Sequence, residues 1–226
     1  MSSSVSTPSA HNGFDRGAAV TRSLLGWGVV AGPFYLITGL AQALTRDGFK
    51  LAEHPLSLLM RGELGWIQVA NLALTGLMVL AAAVGFARVM HNRNVAVPLG
   101  VYGVCLLVSA AFPPDPVDGF PPGSQAPDTF STSGLVHFGA GAVGFVALAV
   151  AAALAARWFT SQGEGTTARM SYLAAFVISV GFVGGAALSS NAAGVTVLWL
   201  VVVVGFAWLL IASVRAYRIA PHPDCP

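Results

Sequence analysis

The histidines and carboxylates that could do acid–base or metal chemistry are few in this chain, and two polar stretches hold the most promising ones. His54 stands in HPLSLLMRGE, whereas Asp115, Asp118 and His137 belong to the long stretch FPPDPVDGFPPGSQAPDTFSTSGLVH. Imidazoles and carboxylates transfer protons near neutral pH, and the same groups bind zinc. His54, Asp115 and His137 are therefore the predicted catalytic groups, or the ligands of a zinc ion.

Further polar residues around these three predict substrate binding. Ser133 precedes His137 by one helical turn, so the two share a helix face. Ser57 and Arg61 belong to a predicted interfacial helix, whose start favours an anion such as phosphate. Two structural alternatives stay open: a His137 that bonds a carbonyl to hold its helix end in place, and a solvated His54. The predicted substrate-binding residues are Ser57, Arg61, Asn71, Asp118 and Ser133.

The composition places these residues in a membrane protein. Of 226 residues, 55% are hydrophobic and only 9% are charged, and the mean hydropathy is +0.74. A soluble domain usually carries about 25% charged residues. The formal net charge of +2 is too small to favour nucleic acid as a partner. Two cysteines form neither a disulfide framework nor a zinc motif.

Six apolar segments are long enough to cross a bilayer, which takes about 20 residues each. In lipid they must be helices, because the backbone has no water to bond. The predicted fold is therefore all-α, a polytopic membrane bundle of six transmembrane helices over residues 23–218. Residues 1–22 are predicted to be a disordered cytoplasmic tail, and residues 219–226 a second cytoplasmic tail. The predicted spans are 24–45, 66–87, 95–112, 132–158, 170–189 and 194–215, the third being short.

The distribution of Lys and Arg predicts the orientation. Eight of the eleven lie in the segments that share a side with the N-terminus, and only Arg46, Lys50 and Arg61 lie on the other side. Cytoplasmic loops carry the excess of these residues, so both termini are predicted to face the cytoplasm of a multi-pass cell-membrane protein. The loops 46–65 and 113–131 then face outward.

Polar stripes on the first two spans extend the predicted site. Gln68, Asn71 and Thr75 share one face of the second span, and Thr38 and Gln42 share a face of the first. Together with His137 they predict an outward-facing polar pocket, although plain interhelical hydrogen bonding is the alternative. Gln42 and Asn71 should then point into the bundle, and the 113–131 loop should fold over the helix ends.

The sequence resembles a family of bacterial and archaeal membrane proteins known as domain of unknown function 998. The resemblance rests on HPLSLL, GWIQVANLALTG, FPPDPVDGFPPGS and STSGLVH, and it covers about 24–215. It implies a six-helix membrane fold and no established activity. The matching positions are His54, Ser57, Gly65, Asn71, Asp115, Gly119, Pro121, Gly123 and His137.

A looser similarity links Ser133 and His137 to the Ser-x-x-x-His arrangement of the membrane hydrolases that include alkaline ceramidases and adiponectin receptors. Those proteins have seven helices and a later His-x-x-x-His pair, which this chain lacks because His222 stands in the tail.

Two functions follow as hypotheses. The first is a membrane protein whose pocket binds a lipid headgroup or an extracytoplasmic partner. The alternative is a membrane-embedded hydrolase or other lipid-modifying enzyme, with or without zinc, that uses His54, Asp115 and His137. A transporter is disfavoured, because the cytoplasmic halves of the spans are almost wholly apolar and no internal repeat is visible.

Overall fold

The fold is an all-α bundle of six helices, as predicted. The computed structural model describes residues 14–224. Five helices are long and apolar enough to cross a membrane, and the third, with 16 residues, is shorter. A short 3-10 helix, Leu56–Met60, lies between the first two. The helices are α1 Arg16–Thr45, α2 Gly65–Met90, α3 Ala96–Ala111, α4 Thr132–Ser161, α5 Gly165–Ala187 and α6 Ala192–Ile219.

Helix α1 begins earlier than the hydropathy pattern predicts. Asp15 caps it by accepting a hydrogen bond from the backbone nitrogen of Ala18 at 3.0 Å. Side-chain oxygens at this position satisfy the free N–H groups of a first turn and set where the helix starts. Residues 16–22, predicted as part of a disordered tail, are therefore helical, while residues 1–13 of that predicted tail lie outside the described residues.

The six helices form a closed antiparallel ring. Each packs mainly on its neighbours in sequence, and α6 returns to pack on α1. Glycine permits close approach at the closing seam, because a Cβ added to Gly32 would lie 2.9 Å from the Cβ of Phe206. Contacts across the ring are few, so the middle of the bundle is filled only where side chains are large enough to meet.

The two ends of the ring differ. At the end that holds both termini, Arg22 donates to the carbonyl oxygen of Ala220 at 3.0 Å and stacks 4.1 Å from the ring centre of Tyr217. The opposite end, here called the long-loop end, carries residues 46–64 and 112–131. The half of the bundle nearer the termini is closed by large buried side chains such as Leu25, Phe86 and Phe159.

The loop 112–131 folds over the helix ends, which confirms the prediction. Its Phe120 is 1% exposed and packs against Phe49 and His54, with ring centres 5.2 and 5.3 Å apart. Asp118, on the exposed side of the loop, accepts a hydrogen bond from the backbone nitrogen of Ala126 at 2.8 Å. The two long loops are thus joined by an aromatic contact at the long-loop end.

Candidate functional site

A cavity of about 810 Å³ occupies the long-loop half of the ring, and every helix contributes to its wall. Its volume lies within the roughly 300–1,000 Å³ of small-molecule sites. Most of its lining is apolar, and the polar groups gather near the loops. These polar residues are Glu53, Ser57, Ser109, Asp115, Asp128, His137, Ser189 and Ser190.

Aromatic side chains from five helices meet in the middle of the bundle, and here they are called the aromatic floor of the cavity. Tyr35 lies 4.9 Å from Phe206, and Tyr102 lies 6.3 Å from both Phe206 and Phe145. Phe145 in turn stacks on Phe182 at 5.1 Å. At 1.5 Å per residue, Tyr35 is about 15 Å from the end of α1 at the long-loop end. The cavity is therefore deep, with a polar mouth and an aromatic base.

His137 lies at the border between the cavity and the seam of α3 and α4. It is 7% exposed, and its Nδ1 is 2.9 Å from the carbonyl oxygen of Phe112 and 3.2 Å from that of Ser109. Both partners are acceptors, so Nδ1 must carry the hydrogen. The neutral ring then has a lone pair on Nε2. No side chain or backbone group among residues 14–224 bonds this second nitrogen.

Asp115 binds Ser131, the N-cap residue of α4, whose own hydroxyl oxygen accepts the N–H of Gly134. Asp115 Oδ2 accepts the N–H of Ser131 at 2.9 Å, and a Cβ added to Gly134 would lie 2.2 Å from the same oxygen. Hydrogen bonds from the side chain and backbone of Ser131 hold the pKa of Asp115 below its usual value, although burial opposes this. The positive charge of Arg61 lowers the pKa further, while the guanidinium itself donates to the carbonyl oxygen of Pro114.

Ser133 completes the connection between the two helices. Its hydroxyl donates to the carbonyl oxygen of Pro113 at 2.7 Å, one turn from the bonds of His137. Ser133, His137 and Asp115, here called the α3–α4 junction, therefore join the end of α3 to the start of α4. Ser133 and His137 share a helix face as predicted, and both face the chain that leaves α3.

His54 is buried but is not among the residues that line the cavity. Its ring packs on Phe49 and Phe120, and its Nδ1 accepts the backbone N–H of Lys50 at 3.0 Å. Burial lowers the pKa of His54. Its carbonyl oxygen accepts a hydrogen bond from the indole of Trp199 at 3.2 Å. His54 is therefore a buried, hydrogen-bonded residue of the fold and not a solvated loop histidine.

The polar stripes of α1 and α2 bind each other. Gln68 Oε1 accepts from Gln42 at 2.8 Å and from Asn71 at 3.1 Å, and Asn71 also donates to the carbonyl oxygen of Tyr35. Gln42 is 7% and Asn71 1% exposed, which confirms that they point into the bundle. Neither residue lines the cavity, so both fit the alternative hypothesis of plain hydrogen bonding between helices. Several of their atoms have no hydrogen-bond partner within residues 14–224: Gln42 Oε1, Gln68 Nε2, Asn71 Oδ1 and Thr75 Oγ1.

The structure thus brings some of the predicted site residues together. Ser57, Asp115 and His137 line one cavity, whereas His54, Arg61, Asn71, Asp118 and Ser133 are not among its lining residues. Within residues 14–224, no three His, Cys, Asp or Glu side chains are grouped so as to hold a metal ion. The zinc hypothesis therefore gains no support from the geometry of this region.

Sequence reasoning missed the walls of the cavity. Tyr35 and Tyr102 were the available signal, because a tyrosine in the middle of an apolar span carries a hydroxyl far from the membrane interface. Ser109 and Asp128 gave no signal, since a serine in a helix and an aspartate in a loop are common. Gly141 lines the cavity, and its missing side chain helps to leave the space open.

Fold and site together define a multi-pass helical membrane protein with a closed ring of six helices around a cavity. The family model described as protein of unknown function DUF998 matches residues 29–215, so the chain belongs to that family. No protein with a curated description and no solved structure was found to be similar. The family resemblance predicted from the sequence motifs is confirmed.

Proposed function

We propose that this membrane protein binds an amphiphilic lipid, with one apolar chain inside the cavity and the head at the long-loop end. The observation that carries the proposal is the cavity itself, which combines apolar walls and an aromatic floor with a polar mouth. Lipid-binding sites need this division, because the two parts of the ligand require different surroundings.

The position of the lining residues supports access from the bilayer. Phe138 on α4 and Ala186 on α5 line the cavity, yet both are exposed on the bundle, Phe138 by 52%. A lipid chain would therefore enter sideways between α4 and α5, without passing through water. The polar head would remain beside the loops.

The proposal includes an orientation in which the long-loop end faces outward. The charge asymmetry supports it, because the opposite end of the bundle carries Arg88, Arg93 and Arg157. Single cysteines at exposed Gln125 and Asn94, in a Cys105→Ala, Cys225→Ala background, test it with a membrane-impermeant thiol reagent on intact cells. We expect labelling of Gln125→Cys only, and labelling of Asn94→Cys alone would reverse the orientation.

The binding test uses two glycines of α4 that accept the same substitution. A Cβ added to Gly141 or to Gly139 meets no heavy atom within 4 Å, but Gly141 lines the cavity and Gly139 is exposed on the bundle surface. Gly141→Phe should fill the cavity, while Gly139→Phe should leave it open. Phenylalanine also has a helix propensity higher than that of glycine, by roughly a few tenths of a kcal/mol, so both variants should fold.

Native mass spectrometry of the detergent-purified chain gives the measurement. We expect a bound lipid on the wild type and on Gly139→Phe, and its loss from Gly141→Phe. Equal lipid retention by all three proteins would show that the lipid lies outside the cavity, and a folded wild type that binds no added lipid would refute the proposal.

A further inference from the structure

We infer that the cavity selects lipids whose head carries an O–H or N–H donor and no negative charge, such as a long-chain alcohol or amine. The inference rests on the proposed lipid-binding function and names the class of ligand. An apolar chain gains little free energy on moving from the bilayer into an apolar cavity, because lipid tails are already apolar. Selection between lipids must therefore come from the groups around the head.

His137 supplies an acceptor at the mouth. Its Nδ1 hydrogen is bound to the carbonyl oxygens of Phe112 and Ser109, which leaves Nε2 as a lone-pair acceptor in a ring that is only 7% exposed. His137 lines the cavity, so a ligand whose head donates a hydrogen bond to Nε2 gains about 0.5–1.5 kcal/mol from that bond. A phosphate or carboxylate head has no hydrogen to give when ionised.

The charged residues that line the cavity also disfavour a negatively charged head. They are Glu53, Asp115 and Asp128, and no Lys or Arg is among the described lining residues. Hydrogen bonding from Ser131 lowers the pKa of Asp115 and favours its ionised form. Gly134 has no side chain, which leaves room for the Asp115 carboxylate against the start of α4. Glu53 is paired with Lys50, so an anionic head would be repelled chiefly by Asp115 and Asp128, whereas an ammonium would be attracted and a hydroxyl tolerated.

The nearby guanidinium groups keep their positive charge, and that of Arg61 adds to the lowering of the Asp115 pKa, but they bind the loops and do not line the cavity. Arg61 donates to the carbonyl oxygen of Pro114, and Arg46 donates to that of Arg61. Lys50 is paired with Glu53 at 3.0 Å on the exposed side of the first loop. The basic residues of the long-loop end are thus bound to the loops themselves and are absent from the described cavity wall. The phosphate-binding role predicted for Arg61 has no support in this arrangement.

The test compares saturated lipids that share one alkyl chain and differ only in the head. Hexadecanol, hexadecylamine, palmitate and hexadecyl phosphate would each displace a fluorescent alkyl alcohol from the detergent-purified full chain. We expect the alcohol and the amine to bind roughly three- to tenfold more tightly than the two anions, which is about the net contribution of one hydrogen bond. Equal or tighter binding of palmitate or hexadecyl phosphate would overturn the inference while leaving lipid binding intact.

A variant of His137 separates the acceptor from the structural role. In His137→Asn the amide N–H can still donate to the carbonyls of α3, but no acceptor remains at the Nε2 position, because the amide oxygen lies closer to the backbone. We expect the alcohol affinity to fall roughly three- to tenfold, with little change for palmitate. His91→Asn is the matched control, because His91 has φ of 52° at the termini end and asparagine tolerates that conformation.

The outcomes distinguish the two proposals. If none of the four lipids displaces the probe, or if Gly141→Phe binds the probe as the wild type does, the lipid-binding function itself fails. If the lipids bind but His137→Asn keeps the wild-type preference, His137 does not select the lipid head. The inference then fails, while the lipid-binding function stands.

Discussion

Asp115 Oδ2 lies 2.9 Å from the backbone nitrogen of Ser131, so the loop between α3 and α4 is closed at its two ends by one carboxylate. This carboxylate satisfies a free N–H at a helix start, where negative charge is favoured. The same residue lines the cavity. Asp115 therefore contributes both to the loop closure, together with Ser133 and His137, and to the cavity mouth.

Acid should weaken this closure. The pKa of Asp115 is lowered from 3.8 in the folded chain by the hydrogen bonds of Ser131, so its contribution to stability is present above that value. It is lost as the pH falls through the lowered pKa. We expect the Tm of the detergent-purified chain to fall as the pH drops below 3.8 toward the lowered pKa, with a weaker fall in Asp115→Asn. Asp118→Asn is the control, and an unchanged pH dependence in Asp115→Asn would contradict the account.

Gly134 should not accept even one methyl group. A Cβ there would lie 2.2 Å from Asp115 Oδ2, whereas a Cβ at Gly139, on the same helix, meets no heavy atom within 4 Å. We expect Gly134→Ala to lower the free energy of unfolding by about 1–3 kcal/mol, and Gly139→Ala to raise it by up to about 1 kcal/mol. Thermal or denaturant unfolding in detergent measures both, and a stable Gly134→Ala would show that the loop can move away.

His54 should act on stability rather than on ligand binding. His54→Phe keeps an aromatic ring between Phe49 and Phe120 but leaves the N–H of Lys50 without its acceptor, at a cost of about 1–3 kcal/mol. Because burial lowers the pKa of His54 from 6.5, the wild type should lose stability as the pH falls below 6.5 toward the lowered value. The variant should lack that part of the pH dependence. A loss of lipid binding in a fully folded His54→Phe protein would contradict this assignment.

Gln42 and Gln68 should be coupled. Gln42 donates one hydrogen bond to Gln68, and each of the two has one buried atom without a partner among the described residues. Replacing either one by Leu leaves more atoms unpaired, whereas replacing both removes the polar pair altogether. We expect the double variant to cost less than the sum of the single ones, with a coupling energy of about 0.6 kcal/mol. Additive effects in unfolding experiments would show that the pair contributes nothing jointly.

Hydropathy was sufficient to predict the six helices, because the bilayer leaves the backbone no other structure. The start of α1 was harder to predict. Arg16 and Arg22 made this segment look like a polar tail. In the structure Arg22 donates a hydrogen bond to Ala220 and stacks on Tyr217. Such contacts between distant residues cannot be predicted from the sequence. The shortness of α3 was visible, since its apolar run is brief and polar stretches bound it.

The site was only partly predictable for the same reason. His137 and Asp115 stand out because ionisable groups near apolar spans are expensive, and that cost predicts a specific environment. Most of the cavity wall could not be predicted in this way, since Tyr102 and Phe206 resemble ordinary packing residues in the sequence. The space arises because the helices close into a ring with few contacts across it. The enzymatic alternative stays a prediction.

The closed ring also has a consequence for the order of its helices. The backbone nitrogen of Asp15 bonds the carbonyl oxygen of Pro223 at 2.8 Å, so the first and last helices meet as any two consecutive helices do. The peptide chain runs almost as a cycle with a single break, and that break could lie elsewhere. A circularly permuted chain, joined from residue 224 to residue 14 by a short linker and opened at Gly163, would keep every helix between the same two neighbours.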